Sequence, residues 1–389
     1  MGLHIQNFDR NCRGQVSLKE RNNKLMKKMD RYIGCPLLFG LGLFHKKRKF
    51  APYAGKNPSI ALLKTAAMGD TILMEAVIQE IRADYPDSKI TFICSKSNLG
   101  MTKALSGIDR VFEFKMKNPL ASLAQARKLG HFDYLFDFAP WARINALISY
   151  CMDADFKVGF KRKGMHRHYI YDKAVVHSDD VHEVENYRNI LRAAGMDIHS
   201  YNPHFAYSGE PILDGKYVVF HLYPAGSSTL LRMWDKEKWV ELGKRIYKKY
   251  GYTILLSGGK EDAADADGVV SRLQAAGVKA MNGAGRYNLK EMENILGHAE
   301  FLVSVNTGIM HMGAAVGVPL IALHGATSVK RWGPLSDRAR NIWTHEKCQP
   351  CISLGFESKC KDPICMKHIT VDMVMDEIVS MEEANGYKN

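Results

Sequence analysis

The 389-residue chain carries 54 Lys or Arg against 41 Asp or Glu, a formal net charge of +13, and 46% of its residues are hydrophobic. That length allows two domains with sizeable cores, and the composition is that of an ordinary globular protein without a low-complexity tract. The charge is uneven: residues 1–57 hold 13 Lys or Arg against only Asp9, Glu20 and Asp30. No base-stacking pattern or nucleic-acid fold accompanies that excess, so nucleic acid is not an expected partner.

Within the basic N-terminal arm, residues 1–56, the run Ile33 to Phe44 is uncharged and is bracketed by basic clusters. A membrane-spanning helix needs roughly 17–25 apolar residues, so this run is too short to cross. It is expected either to lie in the interface of an anionic membrane surface, which the flanking Lys and Arg would attract, or to dock on its own protein. A secretory signal is not expected, because the apolar segment begins beyond residue 30 and no small-residue cleavage site follows.

From Ser59 onward short β-like runs alternate with amphipathic helices, the pattern of a doubly wound α/β domain. Strands are expected at 60–63, 89–94, 111–114 and 134–138, with a helix at 71–85. The Pro, Asn and Gly between His199 and Gly215 read as a linker. A second α/β unit then follows: strand 217–220, helix 236–250, strand 253–256, helices 261–276 and 289–296, and strands 301–305 and 320–323. A tail helix, 371–383, is expected to pack back across both domains. Ligands of parallel sheets bind beyond the strand C-termini, so Asp70 and Asn306 are expected to face one cleft.

Phe301-Leu-Val-Ser-Val is a buried strand that breaks into Asn306-Thr307-Gly308, and a small-residue helix containing His311 starts there. A helix beginning at a glycine turn presents unpaired N–H groups and a positive dipole end, which suits a phosphate; an N-cap without any ligand is the bland alternative. Beside it in the chain stand Ala67-Met-Gly-Asp70, Tyr223-Pro-Ala-Gly-Ser-Ser228 with Arg232-Met-Trp234, and Arg331-Trp-Gly-Pro334. In this order the motifs, spread over about Asn57 to Glu382, resemble glycosyltransferase family 9, the heptosyltransferases of bacterial lipopolysaccharide core assembly. The resemblance implies the GT-B fold: two Rossmann-like doubly wound domains facing a cleft, here an acceptor domain at 57–205 and a nucleotide-sugar domain at 212–345.

It also implies roles. Asp70 matches the family's catalytic base, with an N-cap as its alternative. Arg232 stands nearest to a family lysine on the diphosphate, and an arginine can hold phosphate bidentately. Ser227 and Ser228 lie in the same donor loop, and Glu261 is the candidate for the nucleotide ribose. Asn306 departs from the Asp that the family commonly places before Thr-Gly; it can hydrogen-bond hydroxyls but supplies no charge. Thr307 and Gly308 complete the donor side, and His311 would either reach the phosphates or cap a polar pocket beneath the loop. Arg143 matches an acceptor-side arginine suited to an anionic glycolipid or surface glycan.

Cys348, Cys351, Cys360 and Cys365 form a cluster whose Cys-x2-Cys start and close spacing point to a structural thiolate site for zinc or iron, with free or disulfide-paired thiols as the alternative. Some family relatives carry an iron-bound cysteine finger. Four thiolates leave no open coordination position, so no cofactor is expected in the chemistry. Residues 346–368 would form this knuckle and 369–389 the terminal helix and tail. The expected function is metal-independent, inverting transfer of a sugar, heptose among the candidates, from a nucleotide diphosphate such as ADP-heptose to a lipopolysaccharide core or other surface glycan. The setting is the cytoplasmic face of the bacterial inner membrane. A protein glycosyltransferase and a non-catalytic nucleotide-sugar-binding protein are the alternatives.

Overall fold

A computed structural model describes residues 24–115, 118–226, 228–353, 358 and 360–385. The first sheet contains β1 (Ser59–Leu63), β2 (Lys89–Ser95), β3 (Arg110–Phe114), β4 (His131–Asp137), β5 (Asp153–Lys161) and β6 (Lys173–Val176), in the order β3-β2-β1-β4-β5-β6. The second contains β7 (Tyr217–His221), β8 (Thr253–Ser257), β9 (Ala280–Asn282), β10 (Leu302–Val305), β11 (Leu320–Leu323) and β12 (Ala339–Ile342), in the order β12-β11-β10-β7-β8-β9. All pairings within both sheets are parallel. Each is the doubly wound order with one reversal, between β1 and β4 and between β7 and β10, where crevices open beyond the strand C-termini. The central strands are buried on both faces, which explains their unbroken apolar runs such as Ile60 to Leu63 and Leu302 to Val305.

One apolar cluster joins the two lobes. Ile60, Phe136 and Phe160 of the first belong to it together with Leu302, Met310 and Met312 of the second. The tail helix, Val371–Asn385, does not bridge them as the sequence suggested. Its Val374, Ile378 and Met381 pack with Trp239 and Ile246 of the second lobe, and Tyr250 donates to Glu382 at 2.6 Å. Its inward stripe matches the apolar face of the helix Lys236–Tyr250, which offers a complete partner within one lobe.

The described part of the N-terminal arm is likewise built into the first lobe. Helices Lys24–Tyr32 and Gly34–Phe44 lie against the helix Arg143–Cys151 and the 3-10 turn Arg167–Ile170. Leu38 is fully buried with Ala146, Leu147, Ile170 and Tyr171. Beyond the helix, His45 approaches Asp172 at 3.4 Å and the Phe50 ring packs 5.2 Å from Phe156. Charge alone had suggested a boundary at residue 56; packing extends the lobe back to Asp30 at least.

Candidate active site

Asp70 lies in the first turn of the helix Met68–Asp84, which leaves the C-terminal end of β1. Its Oδ1 accepts from Lys64 Nζ at 2.8 Å and from the Tyr187 hydroxyl at 2.9 Å. Lys64, the first residue beyond β1, is buried and also donates to the Phe138 carbonyl (3.1 Å) and the Tyr187 oxygen (2.9 Å). Oδ2 has only a 3.5 Å approach from the Ala67 N–H, so capping is weak. The carboxylate is therefore anchored through one oxygen by a cation and a phenol, while the side chain remains 22% exposed. Burial, with Asp70 and Glu183 adding to it, pushes the Tyr187 hydroxyl well above its ordinary pKa, so it stays a donor to the carboxylate.

Across from it, Thr307 precedes the helix Gly308–Val316 with extended backbone and makes no side-chain cap. Its Oγ1 is buried without a hydrogen-bond partner, and so is Nδ1 of His311 one turn on. Burial, then the neighbouring His182 and His324, lowers His311 to a pKa of about 3, so the ring is neutral and its open nitrogen is a neutral group. Two buried polar atoms without a partner thus stand at one helix N-terminus, an arrangement suited to an anionic ligand.

The two helix starts touch. A Cβ on Gly308 would lie 2.6 Å from Met68 Cε and 3.3 Å from the Gly69 nitrogen, and one on Gly69 would lie 3.3 Å from His311 Cδ2. Glycine is required for this approach, which brings two positive dipole ends together and favours an anion beside them. The start of the Asp70 helix and the helix that follows the Asn306 turn thus meet across the two lobes.

Arg232 lies against the Asn306 turn. It donates to the Asn306 carbonyl at 3.0 Å and the Ala225 carbonyl at 2.6 Å, tying the loop after β7 to the Asn306 turn, and burial lowers its pKa to about 10. Ser228 opens the 3-10 turn Thr229–Leu231 with a left-handed backbone, φ 54°; Ser227 lies outside the described residues. Glu261 is exposed in the 3-10 turn Lys260–Asp262 beyond β8, where Asp262 rather than Glu261 accepts from the Gly259 N–H at 2.8 Å. Asn306 is buried and donates to His324 Nδ1 at 3.3 Å and to the Trp332 carbonyl at 3.4 Å, while His324 Nε2–H donates to Asn341 at 2.8 Å. Burial lowers His324 to a pKa of about 4, so the whole Asn306–His324–Asn341 chain is uncharged.

Arg143 is engaged within its own lobe. It is buried, gives two 2.8 Å hydrogen bonds to Asp30 from its backbone N–H and Nη1, and gives a third of 2.8 Å to the Gly164 carbonyl. The family resemblance suggests an acceptor-side cation here, and its ion-pair partner, 113 residues away, is invisible to local sequence.

Sequence reasoning also missed a clasp between the lobes. Arg331, buried, donates to Glu183 (2.8 Å), Asp179 (2.7 Å) and the Ser353 hydroxyl (2.7 Å). Arg162 reaches the other oxygen of Asp179 at 2.7 Å, His177 lies 3.0 Å from Glu183, and His182 lies 2.9 Å from the Gly333 carbonyl. The Arg331-Trp-Gly-Pro334 motif was visible in sequence; its carboxylate partners were not.

Cys348, Cys351, Cys360 and Cys365 are all free thiols. Burial raises Cys365 to a pKa of about 11, with smaller contributions from Cys351, Cys348 and Cys360. They are not drawn into one shell. Among the described residues, the one trio of His, Cys, Asp or Glu with ligand atoms within 4.8 Å of one another is His131, Asp133 and Asp155. Instead Ser358 donates to the Cys351 sulfur at 3.3 Å and the Cys360 thiol to the Asp362 carbonyl at 3.2 Å.

The family model of glycosyltransferase family 9 (heptosyltransferase) matches residues 122–361. The chain belongs to glycosyltransferase family 9. This family 9 glycosyltransferase is 24% identical over 298 residues to lipopolysaccharide heptosyltransferase 3 of Escherichia coli K12, covering 71% of this chain and 85% of the relative. Among solved structures, E. coli ADP-heptose lipopolysaccharide heptosyltransferase II superposes with a TM-score of 0.68 at 17% identity, over 84% of this chain and 99% of that one. The iron-containing dodecameric glycosyltransferase TibC of enterotoxigenic E. coli superposes with a TM-score of 0.55 at 13% identity, over 85% and 77%. The two-sheet architecture is accordingly the GT-B fold.

Proposed function

We propose that this enzyme transfers heptose from ADP-heptose to a lipopolysaccharide core, with inversion. The acceptor would bind the lobe of residues 57–205 and the donor that of 212–345. The observation that carries the reading is the anchored Asp70 beside the helix N-terminus with the orphaned Thr307 and His311 atoms. In a single displacement, Asp70 takes the proton of the acceptor hydroxyl as its oxygen bonds to the anomeric carbon, and the bond from that carbon to the diphosphate breaks. The Gly308 helix N-terminus and Arg232 stabilise the charge that develops on the diphosphate. The relatives' names, and an E. coli relative solved with ADP-2-deoxy-2-fluoro heptose, support the donor. Asn306, uncharged and turned toward His324, would accept or donate to sugar hydroxyls. The cytoplasmic face of the inner membrane, where a nucleotide sugar and a nascent glycolipid meet, is the setting; among the described residues no helix is long and apolar enough to cross a membrane. Incubating the full chain with ADP-heptose and heptose-deficient core, and weighing the product, tests the reading. Absence of a heptose mass increment would sink it.

Arg232→Ala is expected to weaken donor binding by ~1.5–3 kcal/mol, the range for a charged hydrogen bond. Lys236, paired with Asp265, and Lys238, donating to the Ile369 carbonyl at 2.7 Å, are the next cations along the chain. Calorimetry with ADP is the measurement, and an unchanged Kd would move the phosphate role elsewhere.

The four free cysteines fit a structural zinc or iron ion by the chemistry of their donor set, thiolates being ligands that both metals take. Such an ion would hold Cys348, Cys351, Cys360 and Cys365 and brace the segment that carries Ser353 into the clasp. Purified protein is expected to hold about one ion per chain, since four thiolates fill one tetrahedral shell. Cys351→Ser is expected to lose metal and thermal stability together. Metal-free wild-type protein of full stability would count against the site. The iron-containing TibC neighbour and this cluster also favour a second reading, a protein acceptor, for which glycosylated polypeptide rather than core saccharide would be the product.

A further inference from the structure

The helix Gly34–Phe44 is apolar on every side, as a buried helix is, yet it lies on the surface. Its inward stripe is spent on the first lobe: Gly34 against the Arg143 side chain, Leu38 in its buried cluster, Gly42 against Tyr169. The opposite stripe meets solvent. Ile33, Leu37 and Phe39 are exposed, and Leu43 and Phe44 reach 70% and 84% exposure. From Ile33 to Phe44 no charged side chain interrupts it. Lys28 and Arg31 before the helix and Lys46, Lys47 and Lys49 after it are exposed. The arm's nearby acid, Asp30, is taken by Arg143 at 2.8 Å.

The position of this stripe matters. The helix rests on Arg143–Cys151 and Arg167–Ile170, which follow β4 and β5 at their C-terminal ends, the end of the sheet from which the Asp70 helix also departs. The Asp30–Arg143 bonds fix it there.

We propose that the outward stripe of Gly34–Phe44 is a membrane-docking surface, lying flat in the interface of an anionic bilayer and turning the acceptor rim of the crevice toward the lipid. Apolar side chains would enter the headgroup boundary while the basic clusters at both helix ends meet lipid phosphates. A second copy of the chain fits less well. Antiparallel pairing of two such helices would set Lys28 and Arg31 of one copy near Lys46, Lys47 and Lys49 of the other, like charge against like. The surface rests on the glycolipid-acceptor reading only for its purpose; its lipid affinity stands alone.

Flotation of the full chain with phosphatidylethanolamine vesicles, with and without phosphatidylglycerol, is the test. Wild type is expected to float with the anionic vesicles. The double variant Leu43→Gln/Phe44→Gln, changed only at exposed positions, is expected to lose about tenfold or more in partitioning, through lost apolar insertion. Its unfolding midpoint and its turnover on delipidated acceptor should match wild type. Lys46→Glu/Lys47→Glu should remove the preference for the anionic vesicles. Equal flotation of wild type and the Gln variant would overturn the proposal, as would a wild-type dimer that ignores vesicles and becomes monomeric in that variant. Vesicle binding by a chain that turns over no donor would uphold the surface and reject the enzymatic reading instead.

Discussion

Asp70→Asn is expected to lower kcat by at least ~10²-fold, the usual contribution of a positioned general base, while the Kd for the donor stays within a factor of about two. The geometry makes this a clean comparison. The amide oxygen of Asn can still accept from Lys64 and Tyr187, which hold the present carboxylate at 2.8 and 2.9 Å, so the helix start and its contact with Gly308 persist. What disappears is an oxygen able to take a proton. The donor-side groups, Arg232 and the Thr307 turn, belong to the other lobe and are untouched. Steady-state turnover with calorimetric donor titration checks both halves. Activity within a few-fold of wild type would remove Asp70 from the base role, and a large loss of donor affinity would make it a donor ligand.

Arg331→Met is expected to destabilise the chain by ~3–5 kcal/mol, because removing one partner of a buried ion pair leaves the other charge without compensation. The charge left behind is Glu183, wholly buried at the start of the helix Glu183–Arg192. Burial alone would raise its pKa, but His177, and after it Arg331, hold it down at about 2. A carboxylate depressed in the folded state adds stability that is complete above its unfolded pKa of ~4.3 and is lost as pH falls toward 2. The variant should therefore show a lower unfolding midpoint near neutral pH and a smaller further loss on acidification than wild type. Thermal denaturation at pH 7 and pH 3.5 measures both. An unchanged midpoint at pH 7 would mean that His177 alone satisfies Glu183.

The elements easiest to read from sequence were those with punctuation at both ends. The helix Lys236–Tyr250 matches its expected span because Asp235 caps it, accepting from the Glu237 N–H, and Gly251 ends it at φ 70°. β11 matches because four buried apolar residues lie between Pro319 and His324. β9 and β12, three and four residues long, carry too few positions to show a period. β5 carries buried Ala154, Phe156, Val158 and Phe160 at alternate positions, but Asp153, Asp155 and Lys157 between them dilute its apolar run. Site residues borne by a turn, such as Asp70, Thr307 and Gly308, show locally. Lys64 and Tyr187 did not: Tyr187 is a core-facing helix residue until it is seen to lie 2.9 Å from a carboxylate 117 positions away. Arg143, Glu183 and His324 likewise take their roles from partners supplied by distant chain.

The contact between Gly69 and Gly308 sets a limit on how the reaction can be arranged. At that point the lobes already stand at van der Waals separation, with the Gly308 position 3.3 Å from the Gly69 nitrogen once a methyl is imagined on it. No sugar ring passes through such a gap, so in the proposed reaction acceptor and donor would meet beside it. The glycines act as a mechanical stop. They fix the nearest distance between the two lobes by what they lack, and any side chain there would push the helix starts apart.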